Sequence, residues 1–145
     1  MNGHVGFNDF QKINDYLYIG NQISAMQLSR LRQEGITHVL KVNGVTSLFS
    51  AKVLRIGLKV VAMEDNERYE ITGDDLSNCF DFIKPTNSTV VVCTAGISRS
   101  ATICIAYLMA HEGKSLEEAH AHVKAARRFI KPNPGFWRWL IAYEK

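Results

Sequence analysis

The chain has 145 residues, of which 46% are hydrophobic and 21% are charged. This composition is typical of one globular domain and excludes intrinsic disorder, collagen-like repeats and coiled coils. The formal net charge of +3 is too small to indicate a nucleic-acid-binding protein.

Predicted strands and helices alternate along the chain, which favours an α/β fold. Ser24 with Gln27, and Ser115 with Glu118, have the spacing of capping boxes and predict the starts of two helices. Gly35 is a typical stop for the first of these helices. In chain order we expect a strand at 16–19, a helix at 24–34, strands at 36–42 and 58–62, a helix at 72–83, a strand at 89–92, and helices at 99–111, at 115–128 and from 133 onward.

The segment 89–92 is the strand that the pattern predicts to be most buried. Its four residues are β-branched and uninterrupted, which is typical of a strand covered on both faces of a parallel sheet. In open α/β sheets, ligands bind at the carboxyl ends of the strands. The residues directly after this strand are therefore candidates for a functional site.

The three cysteines, Cys79, Cys93 and Cys104, are an odd number without a repeating spacing. Cys79 and Cys104 lie at apolar helix positions and are expected to be packing residues. The N-terminus has no charged start followed by an apolar core, so no signal peptide is expected. No apolar run reaches the roughly 18 residues that a membrane span needs. We therefore expect a reduced thiol protein in the cytoplasm, with the nucleus as a second location and no membrane partner.

The loop that follows the buried strand, Cys93-Thr94-Ala95-Gly96-Ile97-Ser98-Arg99, carries the chemistry. A tight loop that enters a helix N-terminus points several backbone N–H groups at one spot, which forms a cradle for one phosphate. Gly96 lets the chain bend at little steric cost. Arg99 can bind two oxygens of the anion in a bidentate fork.

Cys93 at the base of this positive field is expected to be a thiolate, which is an activated nucleophile when it faces a phosphoryl group. The loop dipoles and Arg99 would also stabilise the charge on the transferring phosphoryl group. The alternative interpretation is a small buried core cysteine. Gly96, Arg99, Ser100 and the predicted helix start together favour the nucleophile.

The sequence Val-Cys-Thr-Ala-Gly-Ile-Ser-Arg-Ser at 92–100 resembles the signature loop of the dual-specificity protein phosphatases, within the cysteine-based protein tyrosine phosphatase superfamily. Segments 16–21, 35–40, 106–109 and 131–137 fit the same family. The resemblance covers nearly the whole chain and is strongest to the small, single-domain atypical members. It implies an α/β fold with a central, mostly parallel sheet of about five strands flanked by helices. It also implies one catalytic domain over residues 1–145.

The resemblance further implies a protein phosphatase that hydrolyses phosphotyrosine, with phosphoserine and phosphothreonine as further substrates, through a cysteinyl-phosphate intermediate. Cys93 would form the intermediate, and Ser100 would hydrogen-bond to the sulfur as it leaves. Asp65, 28 residues before Cys93, matches the family's general acid, which protonates the leaving oxygen. The reaction needs no metal and no cofactor. The phosphate-binding residues would be Thr94, Ala95, Gly96, Ile97, Ser98 and Arg99.

Some assignments have a structural alternative. Asp65 lies in an acidic segment and could be one solvated carboxylate among several, with Glu64 and Glu67 as competing acids. A basic set near the C-terminus is predicted to be a solvated face, with contact to acidic or phosphorylated substrate segments as the alternative. Its members are Arg127, Arg128, Lys131 and Arg138.

Two positions depart from the family pattern. The family usually has His directly before the nucleophile, where this chain has Val92, so the Cys93 thiolate depends more on the loop dipoles and on Arg99. The family usually has an Asn that supports the loop where this chain has Lys41. Lys41 either adds positive charge near the site or points outward.

The alternative function is a weakly active or inactive pseudophosphatase that binds phosphoproteins as an adaptor, and Val92 motivates it. Phosphoinositide phosphatases often carry loop lysines where this chain has Thr94, Ala95 and Ile97, which argues against that substrate class. Sulfur transfer and arsenate reduction fit the downstream motifs less well. The expected partner is a phosphorylated protein substrate, with no nucleic acid. A monomer is expected, although the sequence leaves the oligomeric state open.

Overall fold

The computed structural model describes residues 9–44 and 56–145. Within these ranges five strands form one sheet, and its α/β class and mostly parallel pairing confirm the predicted fold. The N-terminal residues on which the expectation of no signal peptide rests lie outside the described ranges. The strands are β1 (Phe10–Lys12), β2 (Leu17–Asn21), β3 (His38–Lys41), β4 (Gly57–Val60) and β5 (Thr89–Cys93).

The order across the sheet is β1-β2-β5-β3-β4, with only the β1–β2 pair antiparallel among the described strands. The described helices are α1 (Leu28–Gln33), α2 (Gly73–Phe82), α3 (Arg99–Glu112), α4 (Leu116–Ala126) and α5 (Pro134–Glu144). Helices α2 to α5 pack over one face around the larger core cluster. Helix α1 covers the other face around a smaller cluster. None of these helices has the length and apolarity of a bilayer-spanning segment.

Strand β5 lies at the centre of the sheet, and each of its residues is buried. Side chains alternate between the faces of a strand. Val91 and Cys93 therefore belong to the cluster beneath α3, whereas Val90 and Val92 belong to the cluster beneath α1. The strand thus ends with Cys93 at the carboxyl edge of the sheet, on the face from which α3 starts.

Of the two predicted helix starts, the one at Ser115 is confirmed and the one at Ser24 is not. The capping box at Ser115 is confirmed, because the Glu118 N–H donates to Ser115 Oγ at 3.1 Å and the Glu118 carboxylate accepts from the Ser115 N–H at 2.9 Å. The box predicted at Ser24 is wrong. The Ser24 hydroxyl donates to the Asn21 carbonyl at 2.6 Å, residues 24–26 form a 3-10 helix, and α1 begins only at Leu28.

Candidate active site

Cys93 lies beside the first turn of α3 and is 2% exposed. Its Sγ is 3.2 Å from the Oγ of Ser100. A thiol donates to this hydroxyl, whereas a thiolate accepts from it, so the same contact serves both protonation states. The structure therefore brings Ser100 to the sulfur, as its predicted role requires.

The loop between Cys93 and α3 has its carbonyl oxygens on the outside, where each accepts a hydrogen bond from another part of the chain. The four pairs are Thr94 O with Gln22 N at 3.3 Å, Ala95 O with Arg127 Nη2 at 3.1 Å, Gly96 O with Arg127 Nε at 2.8 Å, and Ile97 O with Lys131 N at 2.7 Å.

These four bonds set the direction of the loop N–H groups. In a trans peptide the N–H points opposite to the C=O. The N–H groups of residues 95–98 are therefore turned to the inner side of the loop, and none of them has an acceptor within the described residues. A row of backbone donors on a concave surface is a binding site for an anion.

Gly96 is the point at which this loop turns. Its φ is +69°, and a Cβ there would lie 2.7 Å from the carbonyl oxygen of Gly20. A side chain at this position would thus be strained and would also collide with the β2 backbone. The prediction that glycine permits the bend is confirmed.

Arg99 opens α3 and links the loop to the segment after β4. Its Nη1 donates to the carbonyl of Met63 at 3.0 Å, and its Nη2 donates to Thr94 Oγ1 at 3.0 Å. Its Nε is buried and has no partner within the described residues. Buried donors are normally satisfied, so this Nε–H is available for an oxygen of a bound anion.

Asp65 lies on the segment that Arg99 holds. The Nδ2 of Asn133 donates to Asp65 Oδ1 at 3.0 Å, and the Asn133 backbone N–H donates to Ser98 Oγ at 2.9 Å. One residue at the start of α5 therefore joins the predicted acid to the loop. The carboxylate of the competing Glu64 instead accepts from Asn66 Nδ2 at 3.1 Å.

Arg127 holds the loop through two hydrogen bonds, a role that the sequence prediction missed. It was expected on a solvated face, but it is 2% exposed. Besides its two bonds to the loop, its Nη1 donates to the side-chain oxygen of Gln11, and its guanidinium lies 4.5 Å from the ring centre of Phe129. Burial lowers the pKa of Arg127, and the negative charges of Cys93 and Asp9 oppose that change.

One signal in the sequence points to this position. The buried residues of α4, Leu116, Ala119 and Val123, are spaced by three and four residues. The next step of four along this apolar stripe reaches Arg127 and not Arg128. The two neighbouring arginines could therefore have been separated into one inward and one outward residue.

One of the two alternatives predicted for Lys41 is wrong, because the residue is 3% exposed and does not point outward. It pairs in register with Val92 on the sheet face opposite to Cys93. Burial lowers the pKa of its ammonium group. An asparagine two residues later contacts the loop after Cys93. The Nδ2 of Asn43 donates to Thr94 Oγ1 at 3.2 Å.

The other two thiols are packing residues, as predicted. Cys79 and Cys104 are free and fully buried. Burial raises the pKa of Cys79 to about 12 and raises that of Cys104 well above its ordinary value. Within the described ranges, no group of three or more His, Cys, Asp or Glu side chains is arranged to hold a metal ion.

Comparison with known proteins identifies close relatives. Residues 17–145 match the family model described as the dual specificity phosphatase catalytic domain. Human dual specificity protein phosphatase 21 is 33% identical over 138 residues, which cover 93% of this chain and 72% of the relative. The crystal structure of DUSP15 superposes with a TM-score of 0.85 at 29% identity, covering 94% of this chain and 88% of that one. The human tyrosine phosphatase-like serine/threonine/tyrosine-interacting protein has a TM-score of 0.82 at 30% identity, with coverages of 94% and 96%.

Proposed function

This chain belongs to the dual-specificity phosphatase family of protein phosphatases, and we propose that it hydrolyses phosphotyrosine, with phosphoserine and phosphothreonine as further substrates, through a cysteinyl-phosphate intermediate on Cys93. The observation that supports this most strongly is the orientation of the loop. Its four outer carbonyls are bonded, so the N–H groups of residues 95–98 face the side on which an anion can bind.

The proposed first step is an in-line displacement at phosphorus. The Cys93 thiolate attacks, the bond between phosphorus and the ester oxygen breaks, and Asp65 donates a proton to the leaving oxygen. The loop N–H groups and Arg99 bind the equatorial oxygens, where charge is spread in the transition state. The product of this step is phosphorylated Cys93 and a free tyrosine, serine or threonine hydroxyl.

The proposed second step returns the enzyme to its starting state. Water attacks phosphorus, Asp65 accepts a proton from it, and the bond between phosphorus and sulfur breaks. The Ser100 hydroxyl, 3.2 Å from Sγ, donates to the thiolate as it leaves. A cytoplasmic location, with the nucleus as a second one, belongs to the proposal, because a reducing compartment keeps the nucleophile active.

The second candidate function is a pseudophosphatase that binds phosphoproteins without efficient hydrolysis. Val92 favours it, because an apolar residue stands where the family usually has a His before the nucleophile. Under this alternative the loop would still bind a phosphoryl group. Only the reactivity of Cys93 would differ.

Hydrolysis of an aryl phosphate between about pH 5 and 8 separates the two candidates. The proposal expects turnover that Cys93→Ser abolishes and that Asp65→Asn strongly reduces. Because Asp65 would also activate the water, the phosphorylated Cys93 should accumulate in Asp65→Asn and be detected by mass spectrometry after rapid quenching. Measurable phosphopeptide binding without any turnover would instead favour the pseudophosphatase.

A further inference from the structure

A groove of about 560 Å³ lies beside α4, α5 and the segment between them. Its lining combines apolar surface with positive charge. Trp137 meets the ring of His120 nearly edge-on, with centroids 4.9 Å apart, and Ile130 contributes buried apolar surface. The exposed residues Lys124 and Lys131 also line the groove, and none of its lining residues is acidic.

The charge of the groove comes from the two lysines. The Lys124 ammonium donates one hydrogen bond to the carbonyl of Arg128 at 2.9 Å, which holds it at the end of α4. An ammonium group has three donors, so two remain for a ligand. Burial and the charge of Lys124 lower the pKa of His120, which favours the neutral form of its ring.

The groove adjoins the phosphate-binding loop. The backbone N–H of Lys131 donates to the Ile97 carbonyl, and that of Asn133 donates to Ser98 Oγ. The segment that borders the groove is therefore the same one that holds the loop. Because an extended chain advances about 3.3 Å per residue, a peptide with its phosphoryl group in the loop reaches the groove within a few residues.

We propose that this groove binds an acidic segment of the phosphoprotein substrate, with a carboxylate between Lys124 and Lys131 and a large apolar side chain against Trp137. The inference rests on the proposed function, because the same substrate chain carries the phosphorylated residue. Complementary charge gives such a site its selectivity, since a basic segment would be repelled. The indole ring offers the apolar contact area.

The test compares phosphotyrosine peptides that differ only in their flanks. One has neutral Gly and Ser residues, and the others carry a Glu-Leu pair at increasing distances on either side of the phosphotyrosine. At the best distance, kcat/KM of the unmodified enzyme should be about fivefold higher than for the neutral peptide, as expected for two exposed charge pairs. Each value is divided by the kcat/KM of the same variant on an aryl phosphate, which corrects for any change in the loop.

The Lys124→Glu/Lys131→Glu variant should lose this preference. A matched control is Lys84→Glu/Lys145→Glu, which makes the same change in net charge at exposed lysines outside the groove and should keep the preference. Equal values for the neutral and acidic peptides at every distance would overturn the inference, as would a preference that survives in the Lys124→Glu/Lys131→Glu variant.

A binding measurement separates this inference from the proposed function. If the unmodified enzyme hydrolyses none of these peptides, the proposed function fails. The groove is still tested by fluorescence anisotropy, which measures binding of the neutral and the acidic phosphopeptides to Cys93→Ser. Tighter binding of the acidic phosphopeptide supports the groove, and equal binding overturns it. Self-association that depends on Lys124 and Lys131 would also overturn it, because a second copy of the chain would then occupy the groove.

Discussion

Lys41 and Val92 are register partners on the neighbouring strands β3 and β5, so the two positions at which this chain departs from its family form one pair. Both residues are buried, on the sheet face opposite to Cys93. The family's Asn and His would therefore also be neighbours. The two departures therefore lie side by side behind the nucleophile.

The first prediction concerns this pair. Val92→His alone would bring an imidazole into an apolar cluster beside the Lys41 ammonium. It should lower the free energy of unfolding by about 1–3 kcal/mol without raising activity. Adding Lys41→Asn supplies a neutral hydrogen-bonding neighbour. The double variant should regain stability and turn over aryl phosphate faster than Val92→His, and a double-mutant cycle should give a coupling of about 1 kcal/mol in the free energy of unfolding. Urea unfolding and pH–rate profiles of the four proteins measure this, and additive effects would contradict it.

The second prediction concerns Arg127. Arg127→Met removes both donors from the carbonyls of Ala95 and Gly96, so the inward N–H groups are no longer held. Aryl-phosphate kcat/KM should fall by about a hundredfold. The positive charge of Arg127 also interacts with the charge of Cys93. Iodoacetamide should therefore alkylate Cys93 more slowly in Arg127→Met than in the unmodified protein at the same pH.

Two further variants separate the charge of Arg127 from its geometry. Arg127→Lys keeps the charge but loses the planar fork, so it should restore the rate of alkylation more fully than kcat/KM. Arg128→Met changes an exposed neighbour and should leave both quantities unaltered. An unchanged rate of alkylation in Arg127→Met would show that the charge of Arg127 does not act on Cys93.

Sequence reasoning succeeded where one strong local signal decided the structure. The β-branched run at 89–92 predicted the central strand, and the motif after it predicted the loop that leads into α3. Gly35 ends its helix with a positive φ, as its position suggested. Predicted element ends other than those of the Ser24 helix differ from the observed ones by at most two residues.

The errors arose where a tertiary contact outweighed the local signal. Ser24 has the sequence of a cap, yet its buried hydroxyl satisfies the Asn21 carbonyl at the end of β2. Strand β1 has three residues, too few to show an alternation of apolar and polar side chains. It is a strand through its antiparallel pairing with β2. Arg127 is buried because it bonds to carbonyls 31 and 32 residues away in the sequence. Composition and periodicity carry no information about partners so distant.

The third prediction separates the three thiols. At about pH 7, iodoacetamide should label native protein once, on Cys93. Burial raises the pKa of Cys79 to about 12 and raises that of Cys104 well above its ordinary value, which leaves both as unreactive thiols. All three should react after denaturation. Because the thiolate is the attacking species in disulfide exchange, mild peroxide should give a Cys93 sulfenic acid trapped by dimedone and no intramolecular disulfide. Peptide mapping that finds Cys93 joined to Cys104 would contradict this.

The fourth prediction concerns the bond between Asn133 and Asp65. Asn133→Ser keeps an oxygen that can cap α5 for the Phe136 N–H, but it loses the amide that donates to Asp65. An acid that is poorly oriented matters most when the leaving group needs its proton. The kcat/KM for phenyl phosphate, which reports on the step in which the leaving group departs, should therefore fall by about tenfold, while that for an activated nitrophenyl phosphate should fall by less than about threefold.

Asp65→Asn provides the reference for this leaving-group pattern, because it removes the acid itself. It should show the same selectivity between the two substrates with larger losses. If Asn133 acts through Asp65, the Asp65→Asn/Asn133→Ser double variant should be no slower than Asp65→Asn alone. Equal losses on both substrates in Asn133→Ser, or a double variant whose losses multiply, would mean that Asn133 supports the fold of the site through its bonds to Ser98 and α5 and does not orient the acid.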